Sequence, residues 1–272
     1  LENKEKGSST LALEALRLIK RITRGDPGAA EKAFRLMGSW RPEMSVLKNV
    51  AESGSELLKQ GLDSQRVCDA LIEDLLRSIE VSVDGGLTLL KRGTSVLTLS
   101  NSEHVRSFLD RASGLLGKVY VLESRPGGEG AILLRRLVRR RIDAYLVADL
   151  NFQNVCERAD CFITGCDAIG ETFFVNKLGT KVVAQIFRQN RKKVYSLTTK
   201  WKVSSSPVHQ TGCAHLLSKR GKRDITPIFE SVPNSFVDMF VTDVGLLGPR
   251  EVHAKLVDEL KRFRPRPSEA LE

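Results

Sequence analysis

The sequence predicts an α/β protein, with a helical amino-terminal domain over residues 1–92 and a Rossmann-like, mostly parallel sheet domain over 93–272. Three observations carry this reading. Apolar residues recur at helical spacing through the first third of the chain. After Gly93, short β-rich runs alternate with helical stretches. The chain has 272 residues, 41% apolar and 28% charged, which is ordinary folded composition and enough for two domains with a hydrophobic core.

The elements follow in order. Leu11, Ala15, Leu18, Ile19 and Ile22 mark one helical face. Asp26-Pro27 is an N-cap followed by proline at the first helical position. Pro42 is expected to open a helix carrying Met44, Leu47, Val50, Ala51, Leu57 and Leu58, which Gly61 closes. Ser64 is expected to cap the next, with Val67, Leu71, Leu75 and Ile79 on its apolar face. Gly85-Gly86 interrupts that pattern, and Leu87, Leu89 and Leu90 can extend it to Gly93. The expected strands are Ser95–Leu99, Val119–Leu122, Ala144–Ala148, Asp160–Gly165, Val194–Leu197 and Met239–Thr242. Helices are expected at Glu103–Ala112, Ala131–Arg140, Lys177–Gln189 and Pro249–Phe263. Such alternation implies right-handed crossovers and a parallel sheet, whose ligands sit beyond the carboxyl ends of the strands. That rule directs attention to Ser100–Ser102, Glu123–Gly130 and Gly165–Asp167. Residues 200–235 are weakly patterned, with a loop at Ser204–Pro207. Pro265 and Pro267 keep the final helix from continuing.

The composition excludes several classes. The five cysteines are odd in number, and no secretory signal is legible, so free thiols are expected rather than a disulfide framework. Cys156, Cys161 and Cys166 are evenly spaced but form no CxxC knuckle, so no metal is expected. No Walker A loop or post-strand GxGxxG is present, and no cofactor is expected. No apolar run approaches the roughly 18 residues of a membrane span, and residues 1–6 lack the layout of a secretory signal. A cytoplasmic protein is the expectation. The net charge of +10 suits phosphorylated ligands, acidic proteins or nucleic acid. Its densest run, Arg135–Arg141, has no interleaved aromatics and reads as a solvated helix face, which makes nucleic acid the less favoured partner. His209, His215 and His253 read as structural or surface residues, and Trp40 and Trp201 as packing residues.

Three segments in fixed order carry a resemblance. The first is Leu122-Glu123-Ser124-Arg125-Pro126, with Glu129-Gly130 just after. The second is Gly165-Cys166-Asp167-Ala168-Ile169, followed by Val175-Asn176-Lys177-Leu178-Gly179-Thr180. The third is Phe240-Val241-Thr242-Asp243-Val244-Gly245-Leu246-Leu247-Gly248-Pro249. Together they resemble the family of methylthioribose-1-phosphate isomerase, archaeal ribose-1,5-bisphosphate isomerase and the alpha, beta and delta regulatory subunits of translation initiation factor 2B. The resemblance implies a helical domain followed by a Rossmann-like domain. It also implies a phosphorylated sugar or nucleotide as ligand, and a homodimer or hexamer that pairs through the Rossmann-like domain. A translation initiation factor is a further partner that it suggests.

Aldose–ketose isomerisation needs a phosphate anchor, a group moving a proton at the first two sugar carbons, and a carboxyl group serving the ring or carbonyl oxygen. By resemblance the carboxyl role falls on Asp167, and Asn176 and Lys177 match the substrate-contacting pair. Lys177 is expected to open a helix, whose free N–H groups favour anions. Arg125 matches a phosphate-binding arginine, with Gly127-Gly128 allowing close approach. Glu129 is expected either to pair with Arg125 or to meet the ligand. Arg24-Gly25 and Ser39-Trp40-Arg41-Pro42 match two phosphate-contacting stretches.

One departure stands out. The isomerases of the family end the first strand on a His-Cys pair, and this chain has Leu99-Ser100. A thiol with an ordinary pKa near about 8.5 is readily tuned toward neutrality, whereas a serine hydroxyl needs a partner base. His104 lies only in the next helix, and a relocated thiol at Cys166 is disfavoured by its alternation with Asp167 along an extended segment. Ser100 therefore favours a binding, regulatory role, with isomerase activity as the alternative.

Overall fold

The computed structural model describes residues 7–41, 43–204 and 227–263. Four helices come first: α1 (Ser8–Thr23), α2 (Pro27–Trp40), α3 (Ser45–Lys59) and α4 (Ser64–Leu87). The Asp26 carboxylate accepts hydrogen bonds from the Gly28 and Ala29 N–H groups, with Pro27 at the first helical position, as the sequence predicts. The cap of α4 is Asp63, which accepts from Gln65 and Arg66 N–H, and Ser64 is already inside the helix. A carboxylate satisfies the orphan donors and also meets the positive end of the helix dipole. α4 runs through Gly85-Gly86 and stops at Leu87, short of Gly93. Pro42 lies outside the described residues, and the helix expected to open there begins at Ser45. Gly61 follows α3 at φ +85°, the left-handed conformation glycine adopts without strain.

The remaining chain runs β1 (Thr94–Leu99), α5 (Glu103–Arg111), β2 (Leu116–Leu122), α6 (Gly130–Arg139), β3 (Ala144–Val147), α7 (Phe152–Cys156), β4 (Cys161–Thr164), β5 (Ala168–Ile169) and β6 (Phe173–Lys177). Then come α8 (Thr180–Gln189), β7 (Lys193–Leu197), β8 (Phe229–Pro233), β9 (Met239–Thr242), β10 (Gly245–Leu247) and α9 (Val252–Phe263). Seven strands form a sheet in the order β10-β9-β7-β4-β1-β2-β3. All its pairs are parallel except β10 with β9. The chain reverses direction across the sheet at β1 and β4, the switch point where α/β sheets bind ligands.

A second, three-stranded sheet, β5-β6-β8, is antiparallel and escaped the sequence reading. It corrects one expectation. Lys177 closes strand β6 rather than opening a helix, and α8 begins at Thr180 behind Gly179 at φ +101°. The run Phe173–Lys177 lies mostly buried, so it lacks the alternation that marks a half-exposed strand.

One hydrophobic cluster joins the helical region to the sheet, from Leu11, Phe34 and Leu71 through Leu99 and Phe162 to Trp201, Phe240 and Leu260. A second lies across the opposite side of the sheet, around Val96, Phe108, Val119, Leu133 and Ile163. Burial on both faces explains the near-continuous apolar strands β1 and β4.

Candidate functional site

A cavity lies against the carboxyl ends of β1 and β4. Leu99–Glu103 follow β1, Gly165–Asp167 follow β4, and Asn176-Lys177 close β6. Gly7–Ser9 at the start of α1, Arg41 and Met44 before α3, Glu129 before α6, Lys202, Ile228 and Phe229 complete its wall. Gly165 is required by close approach, because a Cβ there would stand 2.6 Å from Ser102 Oγ.

Two helix N-termini converge on this wall. Ser8 and Ser9 begin α1, and Glu103 begins α5 behind Asn101 and Ser102. Neither Gly7 nor Ser102 contributes a side-chain cap. The first N–H groups of both helices thus lack intrahelical partners and carry the positive end of the dipole, a natural cradle for a phosphate. Thr10 Oγ1 donates to Glu103 Oε2 at 2.9 Å and ties the two starts together.

Each predicted residue has a place. Ser100 is in the wall, at φ +65°, and its N–H donates to Ser124 Oγ at 2.7 Å. Ser124 N–H donates in turn to Asp149 Oδ1 at 2.8 Å, which knits the β1 and β2 ends together. No base hydrogen-bonds the Ser100 hydroxyl among the described residues; His104 points instead toward Lys202, 3.5 Å from Nδ1 to Nζ. Asn176 uses its amide nitrogen on Thr164 Oγ1 at 2.7 Å and Thr180 Oγ1 at 2.8 Å. Lys177 is buried and meets Glu129 Oε1 at 2.9 Å. Arg41 lies 3.7 Å from Glu43 and stacks over the Trp40 ring, 5.4 Å from its centroid.

Arg24, Gly25 and Arg125 are not in this wall. The 16 residues of α1 separate Arg24 from the cavity by about 24 Å at 1.5 Å per residue. Arg125 is exposed and its Nε lies 3.7 Å from Glu123. The loop delivers Glu129 to the cavity in its stead, paired with Lys177 rather than with Arg125.

The electrostatics are those of a desolvated site. The protein packs densely round the Asp167 carboxyl, although part of the residue opens on the cavity, and burial raises its pKa against the pull of Lys202. Burial lowers the pKa of Lys202 and lowers that of His104 well below the usual imidazole value. The Cys166 thiol is pushed up to about 12 by burial, so it supplies no thiolate. Cys68, Cys156 and Cys161 are likewise buried free thiols, and no metal-holding cluster exists among the described residues. Glu129 Oε2, Asn101 Oδ1 and His104 Nε2 are buried without hydrogen-bond partners among the described residues. Such orphan atoms are what a polar ligand satisfies. Sequence reasoning missed Lys202 and the two bare helix starts; only the distant positions 7–9 and 202, folded onto 100–103, make them visible.

A profile of the Initiation factor 2 subunit family matches residues 4–249. The chain belongs to this family. Among its relatives, the ribose 1,5-bisphosphate isomerase of Methanocaldococcus jannaschii is 27% identical over 238 residues, covering 80% of this chain and 77% of that protein. The structure of the Pyrococcus horikoshii OT3 translation initiation factor eIF-2B superposes with a TM-score of 0.79 at 22% identity, over 92% of this chain and 94% of that one. One subunit of the tetrameric eIF2B-beta2-delta2 complex from C. thermophilum gives 0.68 at 16% identity, over 93% and 90%. The family thus spans sugar-phosphate isomerases and initiation-factor subunits, on one shared fold. No helix among the described residues is long and apolar enough to cross a membrane.

Proposed function

We propose that the cavity binds a phosphorylated sugar and interconverts its aldose and ketose forms. The observation that carries this reading is Asp167, a carboxyl whose pKa burial raises, set in one cavity with Arg41, Lys177 and two bare helix N-termini. A site that only holds an anion gains nothing from a carboxyl kept toward its neutral form. An isomerase uses it to protonate the carbonyl or ring oxygen as a C–H bond breaks. The helix starts and Arg41 are the phosphate anchors, and Asn176, locked by two threonines, orients the sugar hydroxyls.

A second reading is a regulatory protein of the initiation-factor kind that binds a sugar phosphate or nucleoside phosphate without turning it over. It is supported by Ser100, which stands where the isomerases of the family carry cysteine and has no base at its hydroxyl among the described residues. Incubation with ribose 1,5-bisphosphate, with and without AMP, followed by NMR, separates the two. Ketose formation is the expected result. Thermal protection by the sugar with no product would favour the regulatory reading. In either reading the chain acts as a homodimer or hexamer in the cytoplasm. Light scattering at micromolar concentration is expected to give a mass above that of one chain.

A further inference from the structure

We propose that Lys202 is the proton-carrying base of this cavity, taking the role that a strand-end thiol would otherwise fill. The proposal rests on the isomerase reading above and names the group that moves the carbon-bound proton.

Lys202 is 2% exposed and lines the same cavity as Asp167 and Ser100. A lysine buried for structural reasons is paired, because an uncompensated ammonium is costly in the interior. Lys200, two residues earlier, shows the structural pattern: its Nζ meets Asp74 at 2.9 Å, Asp243 at 3.3 Å and Ser78 Oγ at 3.0 Å. Lys202 has no carboxylate within ion-pair distance among the described residues. The groups facing it are His104 on α5, at 3.5 Å, and Cys166 and Asp167 beyond β4. Burial lowers its pKa, with Asp167 opposing, and burial likewise keeps His104 toward its neutral form. A neutral imidazole can accept a hydrogen bond from Nζ and leave the amine lone pair for the cavity.

The backbone that carries the side chain is also held in place. Asn49 Nδ2 donates to the carbonyls of Trp201 and Val203 at 2.9 and 2.7 Å, clamping the backbone on both sides of Lys202. Ser204 N–H donates to Ile169 O at 2.7 Å just beyond. Such clamping preorganises a catalytic group and does little for a solvated lysine.

The other cavity groups are committed elsewhere. Lys177 is bonded to Glu129, burial pushes the Cys166 thiol up to about 12, and Ser100 has no base among the described residues. The step then balances without a further reactant. The Lys202 amine takes the proton from C2 of the sugar, the C–H electron pair becomes the C1–C2 double bond of an enol that keeps its C1 phosphate ester, and the C1–ring-oxygen bond breaks with its electron pair on the ring oxygen. The ring oxygen leaving C1 takes the Asp167 proton. Lys202 returns its proton to C1, and the C2 hydroxyl proton passes back to the Asp167 carboxylate as the ketone forms.

Two measurements on the full chain test this. The first is competitive carbamylation by cyanate near neutral pH, read by peptide mass spectrometry. Lys202, as the more neutral amine, is expected to react faster than Lys200 and Lys177; labelling no faster than Lys200 would overturn the assignment. The second follows turnover of ribose 1,5-bisphosphate in D2O by NMR. Lys202→Met and Lys202→Arg are expected to lose about 10²–10⁴-fold in kcat with KM little changed. Lys202→Ala is expected to regain turnover with added methylamine, a rescue that a structural role does not give. Wild-type turnover that survives in Lys202→Met would overturn the Lys202 proposal and leave the isomerase reading standing. Wild-type protein that binds the sugar without turnover or exchange would overturn both.

Discussion

Lys200 and Lys202 share one 3₁₀ turn and are both buried, yet their surroundings differ in kind. Lys200 joins α4 to the end of β9 through Asp74 and Asp243, and Trp201 Nε1 donates at 2.7 Å to Asp74 Oδ2, the same oxygen that Lys200 meets at 2.9 Å. Every charge in that network has an opposite partner, so it fastens the helical region to the sheet. Lys202 faces a cavity with a neutral histidine, a thiol and a carboxyl that burial pushes toward its acid form. A charge that is paired holds structure; a titratable group left unpaired beside a cavity is available for chemistry.

The sharpest break of this comparison is removal of each lysine in turn. Lys200→Met leaves the half-buried Asp74 and the buried Asp243 carboxylate without their cation and is expected to cost about 3 kcal/mol in denaturant unfolding. Lys202→Met replaces an amine that has no carboxylate partner among the described residues by an apolar chain of similar length. It is expected to change stability by less than about 1.5 kcal/mol while abolishing turnover. Equal costs for the two variants would erase the distinction.

Between those limits lies Asn49→Ala, which leaves the Trp201 and Val203 carbonyls unpaired and is expected to cost about 1–3 kcal/mol. It is also expected to lower kcat, since the clamp aims Lys202. A variant as active as wild type would show that the clamp is structural only.

The smallest expected effects are in pH dependence. His104 has a folded pKa below its ordinary 6.5, so its contribution to stability is present above that value and is lost as pH falls below it. Melting temperature should therefore drop between neutral and mildly acidic pH, and less so in His104→Gln. Asp167 has the opposite sign. Its folded pKa is raised, so its contribution is complete below the ordinary carboxylate value and is lost as pH rises through the folded one. Asp167→Asn is expected to flatten that loss and to remove turnover. An unchanged stability–pH curve would mean that the carboxyl titrates normally.

The two regions also differ in how legible they were. Strands β1, β2, β3, β4, β7 and β9 and helices α5, α6 and α9 fall within a few residues of the sequence expectation. Local apolar runs bounded by turn residues are enough to mark a buried parallel strand and its crossover helix. The Phe173–Lys177 and Phe229–Pro233 ribbon was not legible, because its pairing joins segments far apart in the chain and its burial removes the alternating pattern. Asp167, Asn176, Lys177, Ser100 and Arg41 were named from motifs and meet in one cavity, whereas Arg24, Gly25 and Arg125 were named the same way and do not. His209 and His215 lie outside the described residues. His253 is a structural contact, 2.9 Å from the Ser204 carbonyl.

The sequence by itself determined the α/β class, the helical start, the strand ends that line the cavity, the family and the serine at position 100. These are local facts, written in spacing, turn residues and motif order. Only the tertiary structure decided which charged residues are paired and which are not. Pairing depends on distance and desolvation between positions as remote as Lys200 and Asp74, or Glu129 and Lys177, and those quantities exist only once the chain has folded.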